Sequence, residues 1–144
     1  MSKKVKILFL DVDGVINNRE TFKTEPLDPI DQTLVNRIKV IQLLTDCKIV
    51  LSSTWRLYPN SLAKVEEKLG KMFDVTPEAT DPDKKERGDE IATWLRAHPG
   101  VEKYAILDDE LDILLEQIPN FFHTSFSFGI TEDIMFKVIS HLNY

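Results

Sequence analysis

Three near-continuous apolar runs constrain this chain most: VKILFL (5–10), CKIVLS (47–52) and YAILD (104–108). Runs of this kind suit parallel strands covered on both faces, where no polar alternation is needed. Between and after them lie segments of helical period. Leu34, Ile38 and Ile41 share one face, and Leu62, Val65 and Leu69 another. Ile91, Trp94, Leu95 and His98 form a third such face, and Ile134, Val138 and Ile139 a last one. FFHTS (121–125) reads as a weaker strand and Phe73 to Val75 as a short one. Gly70 closes the second helix, and Gly88 or Asp89 opens the third. Strands alternating with helices predict an α/β fold, a three-layer α/β/α, Rossmann-like open parallel sheet. NNRETFKTEPLDP (17–29) and TPEATDPDKKERGD (76–89) read as loops, each either a lid or a long connection.

The length of 144 residues suits one domain spanning 1–144, with a single core. A net charge of −6, from 24 acidic and 18 basic residues, argues against a broad polyanion-binding surface but leaves room for a local phosphate pocket. Cys47 is the only cysteine, so no intrachain disulfide and no cysteine zinc site can form. Its place beside a strand reads as buried filler. The basic opening MSKK leads into an apolar run too short for a signal peptide, and no stretch is long enough to span a membrane. A reducing cytoplasm is the expected location.

Each apolar run stops at polar residues: Asp11 and Asp13, then Ser52, Ser53 and Thr54, then Asp108 and Asp109. In open α/β sheets ligands bind beyond the carboxyl ends of the strands, so the three sets should converge on one edge. A carboxylate there can attack phosphorus to form an aspartyl-phosphate. A second one, two residues on, can lie on the same side and exchange protons with the leaving oxygen and with water. Gly14 lets the backbone turn and pass close to a phosphoryl group. Several carboxylates in one crevice call for a cation, and oxygen ligands with a phosphate substrate select Mg²⁺. Asp11 and Asp108 are the first ligands, with the main-chain oxygen of Asp13 a further one. Ser52 is the preferred phosphoryl-oxygen donor. A neutralising cation lies in KKER, as Lys84, Lys85 or Arg87, just before a predicted helix N-terminus.

These residues, in this order, resemble the haloacid dehalogenase (HAD) superfamily of phosphohydrolases. The matching motifs are Asp11-Val12-Asp13-Gly14-Val15, Ser52 after KIVL, the basic cluster 84–87, and Asp108-Asp109 after YAIL. A narrower resemblance, carried by LSSTWR (51–56), RGDEIATWL (87–95) and YAILDDE (104–110), is to the small capless HAD domains of Swiss-Army-Knife RNA repair proteins. The resemblance implies Asp11 as nucleophile, Asp13 as general acid/base, and Mg²⁺ held by Asp11, Asp13 and Asp108. It favours Arg87 as the basic residue. It also implies little or no cap, and a phosphorylated substrate such as a nucleotide or nucleic-acid end.

Other residues keep two readings. Asp109 could orient the site, ligate metal through water, or cap the next helix. Ser53 is a candidate substrate contact or a cap, Lys85 a candidate substrate contact, and Arg56 a substrate contact or a salt-bridge partner. Trp55 could stack on a base, but packing suits it better. Trp94 belongs to the core, and FFHTSFSF (121–128) to packing. His98, His123 and His141 have no metal-ligand spacing. The leading function is a Mg²⁺-dependent phosphomonoesterase. Its rival is a non-catalytic phosphate-binding or interaction module of the same fold, which the intact Asp11/Asp13 pair disfavours. A receiver domain would place its acidic pair and lysine in another order. A nucleotide kinase would need a G-x-x-x-x-G-K-[ST] loop, which the chain does not contain.

Overall fold

The computed structural model describes residues 4–144; Met1 to Lys3, the start of the basic opening, lie outside the described residues. Five strands form one parallel sheet: β1 (Val5–Leu10), β2 (Lys48–Leu51), β3 (Asp74–Val75), β4 (Val101–Asp108) and β5 (Phe121–His123). Their spatial order is β3-β2-β1-β4-β5. The chain therefore works outward from β1 to β3 and then crosses back to β4 on the other side of β1. The connections that leave the carboxyl ends of β1 and β4 run to opposite sides, toward β2 and toward β5, and between such diverging connections a sheet of this kind opens a crevice.

The alternation along the buried strands assigns each face its helices. Leu8 and Leu10 of β1, Ile49 and Leu51 of β2, and Ala105 and Leu107 of β4 face one layer. That layer is α2 (Gln32–Thr45), α3 (Pro59–Leu69) and α5 (Glu132–Asn143), which contribute Val35, Ile38, Ile41, Val65, Val138 and Leu142. Ile7, Phe9, Val50 and Ile106 point the other way, onto Ile91 and Trp94 of α4 (Arg87–Ala97). Phe9 meets the Trp94 and Tyr104 rings edge-on at 5.5 and 5.8 Å. The expected three-layer architecture is thus present, with the three long strands buried on both faces. Cys47 is buried, and among the described residues no helix is long and apolar enough to cross a membrane.

The differences from expectation lie in the connections. A six-residue helix, α1 (Arg19–Thr24), interrupts the stretch read as a loop over 17–29. Its cap is reciprocal: the Asn18 side chain accepts the Thr21 N–H, and the Thr21 hydroxyl accepts the Asn18 N–H. So short a helix has too little apolar period to be read from sequence. Two 3-10 turns, Thr54–Leu57 and Leu115–Asn120, also escape a reading built on α-helical spacing. α4 begins at Arg87, one residue before the earlier of the two predicted starts, with Asp89 accepting the Glu86 N–H. No insertion larger than α1 separates β1 from α2, in keeping with an almost capless sheet edge.

The start of α4 is held by close packing. The Gly88 N–H donates to the Asp112 carbonyl, and the Gln117 side chain donates to the Gly88 carbonyl. A Cβ at Gly88 would lie 2.6 Å from the Leu114 nitrogen and 2.8 Å from Gln117 Oε1. Gly88→Ala should therefore push α4 off the 112–117 segment and cost about 1–3 kcal/mol, the usual penalty for overpacking. Thermal denaturation would show this as a lowered Tm, and an unchanged Tm would refute the tight docking.

Candidate active site

Strand register builds the centre of the site. Leu10 pairs with Leu51 on one side and with Leu107 on the other. The next residue on each strand is therefore Asp11, Ser52 or Asp108, and the three lie side by side at the sheet edge. Backbone bonds continue the ladder one step further, from Asp11 N–H to Leu107 O at 3.1 Å and from Ser52 N–H to Leu10 O at 3.0 Å. All three side chains are buried. The buried carboxylates are tolerated because α4 delivers a cation. Arg87 Nη1 lies 3.0 Å from Asp11 Oδ1 and 2.6 Å from Asp108 Oδ2.

One guanidinium cannot neutralise every carboxylate present. Asp11, Asp108 and Asp109 each offer an oxygen within 4.8 Å of the others. Burial, with the Asp108 charge added, pushes the Asp11 carboxyl up to about 8, although Arg87 pulls it down. Burial and Asp108 likewise raise Asp109. Arg87 moves the other way in effect: burial opposes its charge, but Asp11 and Asp108 outweigh that and hold it protonated. One cation thus stands among three acids, Asp11, Asp108 and Asp109. An all-oxygen donor set with this excess negative charge fits a hard divalent cation.

Gly14 makes this arrangement possible in a way the sequence did not reveal. Its φ of +78° lies in the left-handed region, and the Asp109 carboxylate occupies the space that a Cβ would need. Gly14 was expected to approach a phosphoryl group; the structure shows it admitting Asp109. Two further residues were missed. Asn17 is fully buried, accepts the Gly14 N–H at 2.8 Å and donates to Pro29 O at 2.8 Å and Asp13 Oδ1 at 3.0 Å. Thr124 donates its hydroxyl to Gly14 O at 2.6 Å. Nothing in a lone Asn or Thr signals such roles, because their partners are distant or local backbone groups.

The other expected residues divide. Asp13 does not bring its carboxylate into the acidic cluster; Oδ1 accepts from Asn17 and, at 3.2 Å, from Trp55 Nε1–H. Ser53 is buried and its hydroxyl oxygen accepts the Trp55 N–H, so it serves as a cap. Of the two readings of Arg56, substrate contact or salt-bridge partner, the structure shows the salt bridge, within a structural clamp. It is 7% exposed and donates to the carbonyls of Ser52, Ser53, Thr76 and Pro77 while pairing with Glu90 at 3.0 Å. No donor remains for a ligand. Lys84 and Lys85 are exposed, and Lys85 lines a cleft of about 370 Å³ beside Arg87. Ser52 Oγ is buried and, among the described residues, has no hydrogen-bond partner. His123 donates Nε2–H to the Asp109 carbonyl at 2.9 Å.

The family model for the HAD domain in Swiss Army Knife RNA repair proteins matches residues 7–134. The chain belongs to this family. Comparison with curated proteins and with solved structures gave no significant match. HAD membership accounts for the phosphatase-type fold and for the acidic cluster at its sheet edge. HAD domains generally use Mg²⁺, and the three aspartates form a group able to hold a metal.

Two outcomes follow for this HAD domain. In metal-free protein the folded state keeps a proton on Asp11 that the unfolded chain has already released. Stability should then fall as pH rises from the ordinary carboxyl range near 4 to about 8. Thermal melts at pH 5, 6.5 and 8 should show this slope, flattened in Asp11→Asn and reduced by added Mg²⁺; a slope unchanged in the variant would contradict it. Separately, Arg56→Ala removes the cation paired with Glu90 and the donors to the buried carbonyls of Ser52, Ser53 and Thr76, and should cost about 3–5 kcal/mol, read by chemical denaturation.

Proposed function

We propose that this HAD domain is a Mg²⁺-dependent phosphomonoesterase working through an aspartyl-phosphate on Asp11. The observation that carries the reading is the Arg87 guanidinium shared by Asp11 and Asp108 next to a buried strand-end hydroxyl, Ser52, that has no hydrogen-bond partner among the described residues. Asp11, Asp108 and Asp109 would hold the Mg²⁺, which would offset negative charge on the phosphoryl group as the transition state forms. The Asp13 carboxylate is assigned to proton transfer, not to the metal.

In this reading an Asp11 carboxylate oxygen attacks phosphorus, and the bond from phosphorus to the leaving oxygen breaks. Asp13 gives its proton to that oxygen. Water then attacks the aspartyl-phosphate, passes a proton to Asp13, and releases phosphate and Asp11. Arg87 orients Asp11, and together with a bound cation it would keep that carboxylate ionised. The Ser52 hydroxyl donates to a phosphoryl oxygen, a bond worth most where the group is dry. For the substrate we infer a nucleotide or nucleic-acid-end phosphate. The RNA repair setting of the family supports this, as does a sheet edge with no large insertion between β1 and α2. Lys85, exposed on the cleft beside Arg87, could meet a second phosphate.

The test is phosphate release from an aryl phosphate and from 3′- and 5′-phosphorylated oligonucleotides, with Mg²⁺ and with chelator. Turnover should require Mg²⁺ and disappear in Asp11→Asn. A folded, Mg²⁺-binding protein inert on every substrate would instead favour a phosphate-binding module.

A further inference from the structure

The LSSTWR segment after β2 supplies more than the Ser52 hydroxyl. Arg56 gathers the carbonyls of Ser52 and Ser53 with those of Thr76 and Pro77, and Ser53 caps the Trp55 N–H. The 3-10 turn 54–57 is therefore fixed from both ends. Its Trp55 ring packs against the α2/α3/α5 side of the core, which leaves the indole few orientations. The indole N–H points at Asp13 Oδ1, 3.2 Å away, and Asn17 donates to that same oxygen at 3.0 Å.

We propose that Trp55, with Asn17, is a positioning residue for Asp13: together they occupy Oδ1 with two donors and so assign the transferred proton to Oδ2. The proposal deepens the phosphatase reading and rests on it. An oxygen that already accepts two hydrogen bonds can take a third only by displacing one, whereas Oδ2 has no donor from a described residue. Carboxyl rotation would exchange the two oxygens, and the rigid indole opposes that rotation. In the first step the P–OR bond breaks, its electron pair stays on the RO oxygen, and the Oδ2 proton moves to that oxygen. In the second step the water oxygen bonds to phosphorus as the phosphorus–oxygen bond to Asp11 breaks, and a water proton returns to Oδ2. Both steps balance, and neither uses Oδ1. The segment's tryptophan thus acts on the reaction through Asp13 without touching substrate.

The experiment compares kcat/KM, which reports the step that expels the leaving group, for an alkyl phosphate and an activated aryl phosphate. An alkoxide needs the proton far more than a phenolate does. Trp55→Phe keeps the packing ring but removes the donor. It should lower kcat/KM about tenfold on the alkyl ester and less than about threefold on the aryl ester. Trp55→His, which retains a ring N–H, should recover part of the loss. A readout independent of turnover comes from the two indole N–H resonances in the intact protein. Asp13→Asn should shift that of Trp55 and leave that of Trp94, which donates to Asp74, in place. Equal losses on both esters, or an unmoved Trp55 resonance, would overturn the positioning role and leave the phosphatase reading intact. If wild-type protein with Mg²⁺ hydrolyses neither these esters nor the phosphorylated oligonucleotides, both fall together.

Discussion

Arg87 stands between two carboxylates that register forces together, and most of the site's construction serves that contact. Asp11 and Asp108 leave neighbouring strands at the same level and are both buried, so their repulsion is built into the sheet. A buried acid without a partner takes up a proton instead of serving as a nucleophile. The guanidinium answers part of this at 3.0 and 2.6 Å, and the carboxyl of Asp11 still rises to about 8. The charge left over makes the site receptive to a divalent ion and sensitive to its absence. The same group that stabilises the fold at low pH belongs to the set of three aspartates able to hold a metal.

Delivering Arg87 is the task of α4 and its close contacts. Gly88 lets the helix start press against 112–117, and buried Gln117 ties both backbones together. On the opposite side, Gly14 admits Asp109, while Asn17 and Thr124 tie the Gly14 peptide down at its N–H and its carbonyl. The Arg56–Glu90 pair joins the turn after β2 to α4, and its carbonyl contacts extend the link to the stretch after β3. Loops from every strand of the sheet's carboxyl edge are thus cross-linked by polar contacts.

The strands and four longer helices were legible because burial on a sheet face imposes a period that the residues themselves display. Leu8 and Leu10 against Ile7 and Phe9 is one such pattern, and Leu34, Ile38 and Ile41 another. The carboxyl-end rule then makes Asp11, Ser52 and Asp108 neighbours from the order of the apolar runs alone. Arg56 was not legible, since a guanidinium that meets four carbonyls and one acid looks in sequence like any other arginine. Asn17, Thr124 and Gln117 escaped for the same reason. Their bonds run mainly to backbone atoms, which every residue type carries, and only folding decides whose backbone is near.

By itself the sequence determined the layer order, the edge where chemistry would gather and the excess of acid there. All three follow from local period and from which residues end each apolar run. Tertiary structure alone decided that Arg87, and neither Lys84 nor Lys85, reaches the carboxylates, that Asp109 fills the space beside Gly14, and that Asp13 turns from the cluster toward Trp55. The physical reason is range. A hydrophobic period is written within a dozen residues, whereas these choices rest on side chains about 20 to 95 positions apart meeting at ångström distances.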